Sequence, residues 1–341
     1  FTAACLALSL WIAARRGADV VHAHNPPDTL FVVGGLFRLL GKKYVFDHHD
    51  LSPELYLSRY RKTSGGVVPR VLRVLEGFSV RLANIVIATN ESYREADVRN
   101  HGIDKGKVVI VRNGPDLRRV RPVAPDARLR SMGKTILFHV GAMNPQDGVD
   151  YLLRALHHLL VDLKQRDFFC VLVGDGDSRR ELEALSAELG LSEHVEFTGF
   201  IPDHELMQRL SAADICLDPN PSSPLNDVST WIKVMEYMAL SKPIVSFDLK
   251  ETRTSAAAAA LYVPPNDEAA YARAIASLMA DPAARKRMGD IGRRRVEDEL
   301  SWAMTSKNLV AAYDRLFERD VPQFAPSRKE AAVDRIAHPG S

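Results

Sequence analysis

The chain has 341 residues, room for two domains of ordinary size, and 46% hydrophobic against 26% charged residues is the balance of a protein with a full core. Lysine and arginine number 45 against 43 aspartate and glutamate, which argues against bulk nucleic-acid binding. Cys5, Cys170 and Cys216 lie too far apart for a disulfide framework or a zinc motif, so a reducing cytosol is expected.

Residues 1–14 are apolar and end in Arg15 and Arg16. A membrane span takes about 20 apolar residues, so this stretch reads as an amphipathic or buried helix feeding a strand over 19–23. A Rossmann-like domain that opens on a helix lacks its first strand, and the N-terminal domain is therefore expected to be truncated. Strands follow at 44–47, 85–89 and 108–112, with helices at 29–40, 67–82 and 92–101 between them. Pro122, Pro125 and the loss of apolar period mark 122–133 as a linker.

Beyond it, strands are predicted at 135–140, 168–173, 195–198, 215–218, 243–247 and 260–263. They alternate with helices at 151–163, 178–189, 204–210, 229–240, 268–279 and 283–300. Such alternation predicts a parallel sheet covered on both faces. The expected fold is α/β, two Rossmann-like doubly wound domains (1–121 and 134–301) facing a cleft where strand carboxyl ends take ligands. A last helix within 302–321 is expected to cross back to the first domain, and 322–341 reads as a disordered tail.

The most informative stretch is 219–248, PNPSSPLNDVSTWIKVMEYMALSKPIVSFD. At about 100° per residue from Ser229 or Thr230, Ile232, Val234, Met235, Met238 and Ala239 fill one apolar arc. Lys233, Glu236 and Tyr237 fall on the other side, near the helix N-terminus. Free N–H groups and the dipole there suit a phosphate, Lys233 adds a charge, and Glu236 could accept from a ribose diol, which together describe a nucleoside diphosphate site. The plainer alternatives stay open. In these, Ser229 or Thr230 is only an N-cap, and Lys233 with Glu236 only an exposed pair worth about 0.2–0.5 kcal/mol.

This stretch resembles the signature helix of family 4 glycosyltransferases, retaining enzymes of the GT-B fold, and MEYMALSKPIVSFD matches the second half of their E-x7-E motif. Similar pieces run in order through most of the chain: VVHAH at 20–24, HHDLSPE at 48–54, VRNGPD at 111–116, VGAMNPQDGVDYLLRAL at 140–156, LVGDGD at 172–177, VEFTGFIP at 195–202 and AADICLDP at 212–219. The resemblance implies that 134–301 binds a nucleotide sugar and that 1–121 faces the acceptor. It places the donor diphosphate beside Gly141, Ser229, Thr230 and Lys233, the ribose on Glu236 and the base near Phe200 and Ile201. Core packing accounts for Phe200 equally well.

The chain departs from the family at three places. The first motif glutamate falls at Val228, so Asp227 or Asn226 is the nearest substitute. Ala142 and Asp147 stand where many members carry an arginine and a lysine for the diphosphate. Lys233 is the expected replacement cation. NDVST…K…EYM resembles a bacterial subgroup linked to surface-polysaccharide assembly.

In the first half, Asp47, His48, His49 and Asp50 end a strand. The resemblance makes His49 catalytic beside Lys233 and Asp227, and puts His48, Asp50 and Glu54 on the acceptor side. His22 and His24 read as structural groups with backbone partners. A metal on His48, His49, Asp50 and Glu54 is weighed and set aside, since no second cluster completes it and the family generally needs none; no cofactor is expected. Gly174-Asp175-Gly176 is a weak phosphate-loop signal, more simply a tight turn.

Between Tyr56 and Leu75, Arg59, Arg61, Lys62, Arg70 and Arg73 interleave with apolar residues and no acid. They form either a solvated helix face or a peripheral contact with an anionic membrane holding a lipid-linked acceptor. The expectation is sugar transfer with retention from a nucleoside-diphosphate sugar, UDP-linked by the family resemblance, to a glycan or lipid-linked acceptor. The setting is cytoplasmic, at the inner face of the plasma membrane, in surface-polysaccharide synthesis. A non-catalytic nucleotide-sugar-binding protein and a nucleotide-sugar 2-epimerase are the competing readings.

Overall fold

A computed structural model describes residues 1–60 and 66–317. The chain runs α1 (Thr2–Arg16), β1 (Val20–His24), α2 (Phe31–Leu39), β2 (Lys43–His48), α3 (Ser52–Arg59), α4 (Val67–Leu82), β3 (Ile85–Ala88), α5 (Glu91–His101) and β4 (Val108–Ile110) through its first half. The four strands form one parallel sheet in the order β1-β2-β3-β4. Tyr44, Phe46, Val86 and Ala88 face one layer of core and Val45, Ile85 and Ile87 the other, as the two-residue side-chain period requires.

The second half runs α6 (Ala127–Ser131), β5 (Thr135–Val140), α7 (Val149–His157), β6 (Phe168–Val173), α8 (Arg179–Glu188), β7 (Val195–Gly199), α9 (Asp203–Ala212), β8 (Ile215–Asp218), α10 (Ile232–Ala239), β9 (Ile244–Phe247), α11 (Lys250–Ala256), β10 (Ala260–Val263), α12 (Glu268–Ala280) and α13 (Pro282–Arg295). Its six strands are all parallel, in the order β10-β9-β8-β5-β6-β7. The progression reverses between β5 and β8, so the loops after those two strands diverge and leave a crevice at their carboxyl ends. Separate apolar layers cover the two faces of this sheet. The molecule is thus α/β with two Rossmann-like domains.

Three expectations change on the coordinates. The stretch expected as a linker carries α6, whose Leu129 is fully buried in the second domain's core. A helix expected from Ser229 begins instead at Ile232, with Trp231 as its N-cap residue. The first half also contains α3, which the apolar period did not reveal because Pro53 opens it and Ser52 and Pro53 are its buried residues. The tail from 322 and the basic residues Arg61 and Lys62 lie outside the described residues.

A final helix, α14 (Trp302–Leu316), packs on the first sheet. Ala312 and Leu316 share a buried cluster with Val45, Ile85 and Ile87, and the Asn308 side chain donates to the Ile110 carbonyl at 3.1 Å. Where the chain returns, the Trp302 N–H donates to the Pro115 carbonyl at 3.0 Å. A Cβ on Gly114 would stand 2.1 Å from the Leu300 carbonyl, so only glycine allows the two passes to lie this close.

Candidate active site

A cavity of about 240 Å³ opens between the domains. His49, Asp50, Leu55, Thr89, Tyr93 and Asn113 line it from the first domain, from loops that follow β2, β3 and β4 and from α3 and α5. Ala142, Asn144, Gln146 and Asp147 after β5, and Leu225, Ser229, Thr230 and Trp231 after β8, close it from the second. The cavity therefore lies at the reversal point of the second sheet. Gln146 Oε1 and Trp231 Nε1 are buried there without a hydrogen-bond partner among the described residues.

Of the residues predicted from sequence, His49, Asp50, Ser229 and Thr230 meet at this cavity. The two hydroxyls do not cap a helix. Ser229 Oγ donates to the Leu225 carbonyl at 2.8 Å and lies 3.4 Å from the Tyr93 hydroxyl. Thr230 Oγ1 accepts from Asn90 Nδ2 at 2.9 Å, and the same amide reaches the Val228 carbonyl at 2.9 Å. Backbone after Val228 is extended rather than helical because it is held against the first domain. The plain N-cap reading is thereby corrected.

Lys233 is on the expected face but almost sealed, 7% exposed. Its ammonium sits 3.2 Å from the wholly buried Asp218 and 2.5 Å from Asn220 Oδ1, beneath the turn at Gly141. A Cβ built on Gly141 would lie 3.8 Å from Lys233 Nζ and 3.4 Å from His139 Nε2, ordinary contacts, so packing alone does not demand glycine there. His139 donates Nδ1–H to the Leu217 carbonyl at 3.1 Å, and burial together with the Lys233 charge drives its pKa down to about 3. Lys233 is thus a neutralised charge in the floor of the site, not a free cation on its wall.

Glu236 lies one turn further along α10, half-buried, and its carboxylate meets no donor among the described residues; burial, with Asp203 adding to it, raises its pKa. Phe200 is 87% exposed at the end of β7, so core packing does not explain it, whereas Ile201 packs on the second domain's core. Neither borders the cavity. Asp227 faces Ser222, whose hydroxyl donates to it at 3.2 Å, and it too stands off the cavity wall. Asp147, in the place of a familial lysine, turns inward to close a capping box with Asn144, and burial raises its carboxyl.

On the acceptor side two assignments fail. His48 is wholly buried, its Nδ1 2.9 Å from Asp97 and its Nε2 3.6 Å from Glu76, which hold it charged against the cost of burial. Side chains alternate along β2, so His48 necessarily points away from the face that Asp47 and His49 share. Glu54 is engaged with Arg73, and Leu55 of the same helix takes the cavity position instead. His22 and His24 do not find backbone partners either. They gather with His49 around Asp47, and His22 Nδ1 lies 2.7 Å from the Tyr313 hydroxyl on α14. Gly174 and Gly176 pack closely on the backbone of Gly141 and Met143, as a tight turn requires.

The family model of the glycosyl transferases group 1 matches residues 121–295, and that of the glycosyl transferase 4-like domain residues 2–114. The chain belongs to the glycosyl transferases group 1. Among curated relatives of this glycosyltransferase, the α-maltose-1-phosphate synthase of Mycolicibacterium smegmatis is 27% identical over 323 residues, 88% of this chain and 80% of that one. The D-inositol 3-phosphate glycosyltransferase of Nocardia farcinica is 31% identical over 242 residues, 67% of this chain and 52% of that one. Among solved structures, the sucrose-phosphate synthase of Thermosynechococcus elongatus superposes with a TM-score of 0.77 at 23% identity, covering 92% of this chain and 77% of its own. Anabaena HepE in complex with UDP gives 0.75 at 18% identity, covering 91% and 82%. At these identities the structures carry the fold, which is GT-B.

Proposed function

We propose that this glycosyltransferase moves a sugar from a UDP-sugar to a glycan or lipid-linked acceptor with retention, at the cytoplasmic face of the membrane, in surface-polysaccharide synthesis. The observation that carries the donor half is the cavity at the β5–β8 reversal point, with the unmet Glu236 carboxylate on the helix that begins beside it. HepE, a neighbour in fold, was crystallised with UDP and with UDP-glucose, which supports uridine. Glu236 accepts the ribose hydroxyls, and Phe200 offers an uncovered ring for the base. The diphosphate lies over Gly141 without a metal, and as the leaving group departs it is met by N–H groups near Thr230, by His49 and by the field of Lys233 from below. Each such donor is typically worth about 10²–10³ in rate. The acceptor hydroxyl enters on the same face; retention rests on the family resemblance.

The lipid-linked acceptor draws support from α4. Val67, Val71, Val74 and Phe78 recur every three or four residues on its exposed face, while Glu76 and Ser79 are buried. Among the described residues no helix is long and apolar enough to cross a membrane. A second reading, a nucleotide-sugar-binding protein without turnover, is favoured by Ala142 and Asp147, which leave the diphosphate wall without its two usual cations.

Calorimetric titration with UDP in the absence of metal tests the donor site. Binding is expected, and Glu236→Ala should weaken it about tenfold or more, since a hydrogen bond to a charged group is worth about 1.5–3 kcal/mol. Lys233→Ala should cost rate more than affinity. It also strands Asp218, so its thermal unfolding must be measured alongside. No binding of UDP, GDP or ADP would overturn the reading, and turnover of a donor only with acceptor present separates transfer from binding alone.

A further inference from the structure

The wall of the cavity carries the wrong charge for a diphosphate. Its acids are Asp50 and Asp147, and none of the described residues that line it is lysine or arginine. Lys233 lies beneath, already paired with Asp218. At about 240 Å³ the space also falls short of the roughly 300–1,000 Å³ that whole ligands of drug size take. Glu236 and Phe200, which take the ribose and the base, stand outside it. The part of a nucleotide sugar left for the inside is the sugar ring.

Asp50 is placed to meet hydroxyl groups. Asn25 clamps its backbone from both sides: Asn25 Oδ1 accepts from the Asp50 N–H at 3.3 Å, and Asn25 Nδ2 donates to the Asp50 carbonyl at 2.6 Å. The carboxylate itself meets no hydrogen-bond donor and no ion-pair partner among the described residues. Burial raises its pKa, while His49 and His48 pull the other way. An ionised carboxylate only accepts, so it fits sugar hydroxyls and repels another carboxylate. The second domain adds Gln146 Oε1, another acceptor, and Trp231 Nε1, a donor, both buried without a partner among the described residues. Asp147, whose carboxylate accepts from the Asn144 N–H at 3.1 Å, brings a further negative charge to the same wall.

We propose that the transferred sugar carries no acid group, that its ring lies in this cavity with hydroxyls on Asp50 and Gln146, and that Asp50 excludes uronic acids. Resting on the donor reading, this assignment narrows the donor to neutral hexoses, deoxyhexoses and N-acetylhexosamines. Discrimination comes from a repulsive group as much as from attractive ones: a uronate would bring its charge into an enclosed space where no lysine or arginine on the described wall can meet it. Trp231 Nε1 donates to an oxygen of the same ring.

Calorimetry on the full chain with UDP, UDP-glucose, UDP-galactose, UDP-N-acetylglucosamine and UDP-glucuronate tests it. At least one neutral UDP-sugar should bind about tenfold or more tightly than UDP-glucuronate, since like charges brought together are costly. Asp50→Asn keeps the size of the side chain and leaves the Asn25 clamp in place. It should shrink that gap about fivefold or more, with the melting temperature and the affinity for UDP itself, which has no sugar, unchanged. UDP-glucuronate binding as tightly as the best neutral sugar, or a gap that Asp50→Asn leaves as it was, would overturn the assignment while the donor reading stands. Failure of the parent protein to bind UDP would sink the donor reading and the assignment with it, so the two failures are told apart.

Discussion

At the residue scale, the floor of the site is a small buried circuit. Lys233 neutralises Asp218, Asp218 also accepts from Ser246 Oγ at 3.1 Å, and His139 is kept uncharged beside them. A histidine neutral in the fold but ordinary when unfolded makes the unfolded chain bind the extra proton below pH 6.5. Stability contributed by His139 is therefore full above about pH 6.5 and is lost as pH falls toward its folded value near 3, by about 1.4 kcal/mol per pH unit. Denaturant titrations of His139→Gln at pH 7 and pH 5 should show a smaller acid loss than the parent, and equal losses would remove His139 from the acid response. Glu236 and Lys233 could be read from the sequence because a 100° step puts them opposite the apolar arc. Ser229 and Thr230 could not be read correctly, since their hydroxyl partners Tyr93 and Asn90 lie more than 130 positions away in the chain. The grouping of His22 and His24 with Asp47 was not legible for the same reason, since it joins two strands that meet only in the fold.

At the scale of elements, α4 shows how far pattern reading goes. Its apolar period is plain in VVPRVLRVLEGFSVRL, but period alone does not say which face looks outward. The buried face carries Glu76 and Ser79 because His101 and the Asp28 carbonyl satisfy them. The valines are left outside, and Phe78 rests on Phe31 of α2 at 5.2 Å between ring centres. If this face meets lipid, Val71→Glu with Val74→Glu should abolish flotation with anionic vesicles while changing stability by less than about 1 kcal/mol, as expected of exposed positions. Flotation that survives the double change would place the membrane contact elsewhere, or nowhere.

Across the whole molecule, the two sheets are latched at the cavity's edge. Beside the Asn90 contacts, Ser92 Oγ donates to Glu251 at 2.6 Å, and exposed ion pairs join Arg59 to Asp177 and Lys250 to Glu95. Asn90 contributes two hydrogen bonds, each worth about 0.5–1.5 kcal/mol net. Asn90→Ala is therefore expected to weaken UDP binding about five- to 150-fold by favouring an open arrangement, and, because Asn90 Oδ1 also caps α5 by accepting from the Tyr93 N–H at 2.8 Å, to lower stability by about 1 kcal/mol. Stopped-flow measurement of UDP release should show the difference in the dissociation rate. An unchanged rate would mean that the latch does not gate the donor.

The two passes of chain between the domains, through Pro115 and Trp302, run side by side and are bonded to each other. Gly114, with no side chain to keep the second pass away, makes that proximity possible. Two tethers set apart would permit twist and slide; two tethers fused along one edge behave as a door's hinge. Tethers joined in this way favour rotation of the halves about the Trp302 edge over twist or slide. A single glycine thereby holds both crossings to one edge of the molecule.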